Sequence, residues 1–514
     1  MKWIRNCFKA FLALCSLLAF SPINAQVKLP SLIADHMVLQ QKSNAALWGW
    51  AQPGEKVTIT TSWNRQSTTA TADATGKWTA SVPTAKAGGP YTITFRASNE
   101  LTVSDVLLGE VWLASGQSNM EFFVTKTASS SYTGVPDYQQ EIKEANFPLI
   151  RQIDVPNKVA DTPQQNFTGT WKVCSPQTAD TFSAVAYFFA RKVHRETGYP
   201  VGIINATWGG TPAEAWTKRS VLQGDKDFQT ILDRYDENVK KYPEANAAYR
   251  QALENWRADT SRSKGAQPRP PVGPNHNNSP AKLYNGMIAP LQPYSLKGVI
   301  WYQGENNAER AYQYRRLFPA MIRNWRDDFK NAKLPFYFVQ ISPHRSQNPE
   351  IREAQLMTYR SVPYTGMAVT TDNGDSLDIH PRNKKLVGER LSLWALKNEY
   401  GKKDRIVSGP LYKSLKIEGN KALIEFDFTG GGLVAQGGGD LNEFTIAGAD
   451  QNFVPAQAVI EGNKVVVWSE AVAAPVAVRF AWRNVPKPNL FNKAGLPASP
   501  FRTDSWKGQT EGKN

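Results

Sequence analysis

The sequence predicts an α/β protein: a parallel sheet covered on both faces by helices, flanked by β-rich regions at the N-terminal and C-terminal sides. Three observations carry this. Between about residues 106 and 400, short apolar strand-like runs alternate with amphipathic helical patterns, the signature of a three-layer parallel sheet. Residues 26–105 instead alternate apolar and polar with period two, broken by turn signals. From about residue 401 the β patterning returns.

Taken in order, residues 1–25 read as an export segment rather than as structure. Lys2, Arg5 and Lys9 make a basic start, Phe11 to Phe20 an apolar core, and Ile23-Asn24-Ala25 a small-residue cleavage site. The apolar run is short for a bilayer, and no later segment reaches the roughly 18 unbroken apolar residues of a span. Cys15 offers a lipid-anchor alternative, but Leu14 is bulky where the residue before an acylated cysteine is small. The expectation is a cleaved signal peptide, a secreted or periplasmic protein, and no membrane insertion.

Residues 26–105 are expected to form a β-sandwich-like domain, with strands at Val57–Ile59, Trp78–Val82 and Tyr91–Phe95. Pro53-Gly54, Asp73 to Gly76 and Gly88-Gly89-Pro90 supply the turns. In the α/β region (106–400), strands are expected at Val106–Leu113 (interrupted at Gly109-Glu110), Val201–Ala206, Gly298–Tyr302, Leu334–Ile341 and Gly366–Thr371. Helical patterns cover Ala184–Arg195, Arg310–Phe329 and Lys385–Glu399. A polar helical insertion occupies about 217–280, and an excursion of that length is more often functional than core. Residues 401–514 give a C-terminal β-rich domain, with strands at Ala422–Phe426, Lys464–Trp468 and Val476–Trp482.

The net charge of +15 is dispersed, without a basic run or a nucleic-acid motif, so it acts on solubility and no nucleic-acid partner is expected. Of three cysteines, two lie in the export segment; Cys174 alone excludes an internal disulfide or a cysteine-based metal site after cleavage. The five histidines are scattered and no His-Glu-x-x-His occurs, so neither a metal nor a cofactor is expected.

Candidate chemistry begins at Ser115-Gly116-Gln117-Ser118-Asn119-Met120, directly after the first strand of the α/β region. Parallel strands deliver their C-terminal ends to the face where active sites form, and a glycine there permits the tight turn that exposes a serine hydroxyl. Met120 stands where the Gly-x-Ser-x-Gly elbow would need glycine, so this is a different nucleophile turn. A serine needs a base. His380, in Asp375-Ser376-Leu377-Asp378-Ile379-His380-Pro381, has neighbouring carboxylates to orient it; His344 competes. Oxyanion donors are available in two loops, Asn205-Ala206-Thr207-Trp208-Gly209-Gly210 and Trp301-Tyr302-Gln303-Gly304-Glu305-Asn306.

Ser118, Gly210, Asn306 and His380 follow the order of the four sequence blocks of the SGNH (GDSL-like) hydrolases. The wording Gly116-Gln117-Ser118-Asn119-Met120, Trp208-Gly209-Gly210-Thr211-Pro212, Trp301-Tyr302-Gln303-Gly304-Glu305-Asn306 and Asp378-Ile379-His380-Pro381 resembles the sialate O-acetylesterase branch, over nearly the whole chain after residue 25. The resemblance implies an SGNH-hydrolase fold for 106–400 and a serine esterase. In it Ser118 attacks an acetyl carbonyl and His380 takes its proton. The N–H groups of Ser118 and Gly210 and the Asn306 amide hold the oxyanion. The family's aspartate lies three residues before the histidine, where this chain has Leu377. Asp378, Asp375 or a backbone carbonyl is left to orient His380, with Asp378 favoured for its shorter reach.

The implied function is removal of O-acetyl groups from carbohydrate, with sialic acid esters favoured and acetylxylan or another polysaccharide as alternative. An inactive hydrolase core used as a carbohydrate-binding protein is the rival class, opposed by the complete nucleophile, base and oxyanion set. Gln303, Glu305 and Trp208 are candidate substrate-binding residues, although Gln303 and Glu305 could equally brace their loop. Trp216, Trp301 and Tyr302 are candidates to stack on sugar, and Arg345, Arg352 and Arg382 to meet a sialate carboxylate.

Overall fold

Seven strands carry the site-bearing part of the molecule: β1 (Glu100–Gly116), β2 (Phe147–Asp154), β3 (Trp171–Cys174), β4 (Val201–Thr207), β5 (Gly298–Tyr302), β6 (Phe336–Gln340) and β7 (Thr365–Val369). In the computed structural model, which describes residues 26–128, 132–261 and 265–513, they lie in the order β7-β6-β5-β1-β4-β2-β3. Neighbours are parallel except for the antiparallel edge strand β3. The expected export segment, residues 1–25, lies outside the described residues.

Every residue of β4, β5, β6 and β7 is buried. A strand buried at odd and even positions alike needs cover on both faces, which is why these strands read as continuous apolar runs. The helices that matter for the site are α1 (Ser118–Glu121), α2 (Ala184–Thr197), α3 (Lys226–Ala258), α4 (Ala311–Asp328), α5 (Pro349–Ser361) and α6 (Lys384–Asn398). Helices α2 and α6 pack together as one layer, α4 and α5 as another. Their starts are chemically marked. Ser183 caps α2 by accepting the Ala186 N–H, and Asn383 caps α6 by accepting that of Leu386. Asn348 caps α5 ahead of a proline at its first position.

β1 differs from expectation, being one uninterrupted strand of 17 residues. Its first half pairs with Gly88–Arg96 and with Val38–Gln40. Its second half, from Glu110, pairs with β4. Gly109 sits at the handover, where an added Cβ would fall 2.2 Å from the Pro200 carbonyl oxygen. The glycine therefore admits a close backbone crossing instead of breaking the strand. One consequence is that the N-terminal strands share a single apolar core with the α/β layers, running from Val27 to Leu411. A second core, from Ala422 to Phe501, lies among the C-terminal strands. These form two four-stranded antiparallel sheets and a two-stranded one.

Within the insertion, α3 runs for 33 residues, with Asp225 accepting the Asp227 N–H at its start. Only Phe228, Ile231 and Leu232, near that start, are buried along it. Among the described residues, no helix is long and apolar enough to cross a membrane.

Candidate active site

The site is built where β1, β4 and β5 end together. Gly116, the last residue of β1, is in register with Thr207 of β4 on one side and Tyr302 of β5 on the other. Its φ is +136°, and a Cβ would lie 2.2 Å from the Tyr302 carbonyl oxygen. Only glycine lets the three strand ends come this close. Two hydrogen bonds stitch them: the Gln117 N–H donates to the Tyr302 carbonyl (3.0 Å) and the Trp208 N–H to the Gly116 carbonyl (3.1 Å). Ser118 follows as the first residue of α1.

The loop after β7 brings in His380. Asp375 Oδ1 accepts the N–H groups of Leu377 (2.7 Å) and Asp378 (3.1 Å), and Asp378 Oδ1 accepts that of His380 (2.9 Å). These carboxylate-backed turns aim the ring so that His380 Nε2 lies 2.8 Å from Ser118 Oγ. The ring also packs against Tyr132, with centroids 5.1 Å apart. Asp378 Oδ1 is 3.6 Å from His380 Nδ1, too long for a hydrogen bond, and its side chain is 40% exposed. Asp375 acts on the loop backbone and not on the ring.

Behind Ser118 lies a buried polar chain. The Asn119 amide donates to Glu305 Oε1 (2.6 Å) and to the Ile379 carbonyl (3.1 Å), while Lys384 Nζ donates to Asn119 Oδ1 (2.5 Å). The turn bearing Ser118 and the loop bearing His380 are thus fixed through one residue, Asn119. Lys384 lies beneath the rings of Phe122 and Tyr302, 4.6 and 5.4 Å from their centroids. Burial lowers its ammonium to about 7 and pushes the Glu305 carboxyl above its ordinary range. Burial, reinforced by the Lys384 charge and only partly opposed by Asp378, holds His380 down at about 4. The imidazole is therefore neutral, and able to accept a proton, through the physiological range.

Donors gather on the open side. Asn306 Nδ2 donates to the Gly210 carbonyl (2.5 Å), tying the loops after β4 and β5, and the residue is half-buried. The Gly209 N–H donates to Glu121 Oε2 (2.6 Å). The N–H groups of Ser118 and Gly210 make no hydrogen bond among the described residues.

Several expectations change. Gln303 is fully buried, and its side chain is consumed by Thr211, Asn307 and Tyr314, so it braces the loop and has nothing to offer a sugar. Glu305, held by Asn119, does the same from below. Trp216, Trp301 and Tyr302 are fully buried core rings and cannot stack on substrate; Trp208 is half-buried and keeps that possibility. His344 has its Nδ1 engaged by the Ser346 hydroxyl at 2.7 Å and N–H at 3.2 Å, and makes no bond to Ser118. Arg352 is fully buried and donates to the Arg483 carbonyl; Arg382 donates to the carbonyls of Thr133 and Gly134. Full burial keeps Arg352 from a substrate carboxylate, whereas Arg382 is exposed and uses only Nη1 on those carbonyls. Asn119, Glu121 and Lys384 were not singled out from sequence. Asn119 and Glu121 stand within three residues of Ser118, which could have flagged them. The role of Lys384 depends on where α6 begins.

Residues 108–255 and 273–396 match the family described as carbohydrate esterase, sialic acid-specific acetylesterase. The sialate O-acetylesterase of Rattus norvegicus is 30% identical, the match covering 92% of this chain and 93% of the relative. That of Homo sapiens is 28% identical over 92% and 91% of the two chains. Among solved structures, XAC1771, a carbohydrate acetylesterase from Xanthomonas citri, is 39% identical with a TM-score of 0.79, covering 94% of this chain and all of its own. The chain therefore belongs to the carbohydrate esterase family of sialic acid-specific acetylesterases, and is a carboxylic ester hydrolase.

Proposed function

We propose that this protein removes O-acetyl groups from carbohydrate through an acetyl-enzyme on Ser118, and that it is exported by the segment 1–25. The observation that carries the mechanism is the 2.8 Å contact between His380 Nε2 and Ser118 Oγ beside an open set of oxyanion donors. His380 Nε2 accepts the hydroxyl proton as Ser118 Oγ attacks the acetyl carbonyl carbon. Charge developing on the carbonyl oxygen is met by the N–H groups of Ser118 and Gly210 and by the second hydrogen of the Asn306 amide. Collapse breaks the ester bond, and the imidazolium returns its proton to the departing sugar oxygen. Water, deprotonated by the same imidazole, then releases acetate and restores Ser118.

The kinship with sialate O-acetylesterases favours O-acetylated sialic acid, within the wider class of acetylated carbohydrate suggested by the Xanthomonas citri relative. The test is acetate release from a panel of acetylated sugars by wild type and Ser118→Ala. Loss of roughly 10³-fold or more in turnover supports the assignment. Near wild-type acetate release from the pure variant rejects it.

A further inference from the structure

A pocket of about 200 Å³ adjoins Asn306, walled on one side by the N-terminal part of α3 and on the other by the start of the segment leading into α4. Two guanidinium groups enter it, Arg234 from α3 and Arg310 from the turn before α4. Both reach the same oxygen, Glu214 Oε1, at 3.2 and 3.3 Å. The other Glu214 oxygen accepts from Asn307 at 2.8 Å. One carboxylate thus faces two cations, and the cluster keeps a surplus positive charge at the edge of the site. Arg234 Nη1 and Arg310 Nε are buried without an acceptor among the described residues. The side chains as wholes stay open to the pocket, 32% and 20% exposed. The exposed parts of the two guanidinium groups can donate to a charged acceptor, with which such hydrogen bonds are strongest. Tyr235 supplies an aromatic wall.

Building on the esterase reading above, we propose that Arg234 and Arg310 form an anionic subsite that takes the carboxylate of an acidic acetylated sugar. Asn306 lines this pocket as well as the oxyanion side, so a sugar whose acetyl carbonyl meets Asn306 places its remaining atoms toward the arginines. The helical insertion then has a task that the hydrolytic core cannot perform. It brings a cation to the substrate, a task that the fully buried Arg352 cannot perform.

Arg234 is the residue to change, because Arg310 also touches the Asn306 carbonyl (3.4 Å) and its loss would disturb the oxyanion side. Catalytic efficiency is compared on 9-O-acetyl sialic acid and on a neutral acetylated xylo-oligosaccharide for wild type, Arg234→Gln and Arg234→Lys. The expected result is a drop of about tenfold or more in the acidic-to-neutral ratio for Arg234→Gln, expressed as a higher KM. Arg234→Lys should recover part of it. An unchanged ratio, with folding intact by circular dichroism, overturns the subsite. Binding of free sialic acid by calorimetry, weakened by Arg234→Gln, reads the pocket without hydrolysis. Failure of wild type to release acetate from either sugar would count against the esterase reading, and that binding experiment would still decide the subsite; no binding to wild type refutes it.

Discussion

Replacing Asp378 by Asn asks how much a carboxylate contributes when it sits near the proposed catalytic histidine without bonding to it. Asp378 Oδ1 lies 3.6 Å from His380 Nδ1, and the same oxygen is already accepting the His380 backbone N–H. Two unit charges at that separation attract by about 1 kcal/mol in water and about 5 kcal/mol at an effective dielectric of 20. The Asp378 side chain is 40% exposed, which places the screening toward the aqueous end. The imidazolium formed as Ser118 gives up its proton should therefore lose about 1–2 kcal/mol of stabilisation, or about 5- to 30-fold in rate. A buried triad aspartate bonded to the ring is worth roughly 10⁴ in turnover. The assay is steady-state acetate release by Asp378→Asn, with thermal melting to verify the fold. Asp375→Ala serves as the companion that loosens the loop backbone without touching the ring. A loss of 10³ or more for Asp378→Asn would refute the reasoning, since it would require a direct bond to Nδ1 in the reacting enzyme.

Asn306→Ala should cost about 10²–10³ in turnover if its amide meets the oxyanion, and a change confined to KM would make it a substrate-binding residue instead. With His380 held at about 4, the acid limb of kcat/KM should fall off near pH 4, well below the ordinary histidine value. Lys384→Met removes a positive charge that disfavours the imidazolium, so the limb should move to higher pH; movement the other way would contradict the electrostatics. Gly116→Ala forces a Cβ against the Tyr302 carbonyl at a positive φ, and should destabilise the protein by about 2–4 kcal/mol, read by chemical denaturation.

Legibility followed burial chemistry. β5 was readable residue for residue, because Gly298-Val299-Ile300-Trp301-Tyr302 is an unbroken apolar run. β2 and α5 went unrecognised for the opposite reason. β2 carries Arg151 and Gln152 in buried positions, Arg151 being tied to Asp105, and α5 buries Glu350 and Arg352. Buried charged residues held by partners distant in sequence look like solvated residues when only sequence neighbours are visible. The same limit applied at the site. Ser118 and His380 stood out because their loops follow a strand and the order of blocks resembles a known family. The Lys384–Asn119–Glu305 chain joins residues separated by up to 265 positions, and no local pattern encodes it. Aromatic residues misled for a related reason: Trp216 and Trp301 stand beside the oxyanion loops in sequence but point into the core, where their rings meet edge to face with centroids 6.1 Å apart.

The acetyl-enzyme itself is the most direct test. The enzyme is quenched in acid during turnover of 4-nitrophenyl acetate and digested, and the acetyl group is located by peptide mass spectrometry. A single acetyl group on Ser118, absent from Ser118→Ala, is the predicted result. Acetyl found reproducibly on another side chain, or burst-phase product with Ser118 unmodified, would contradict it.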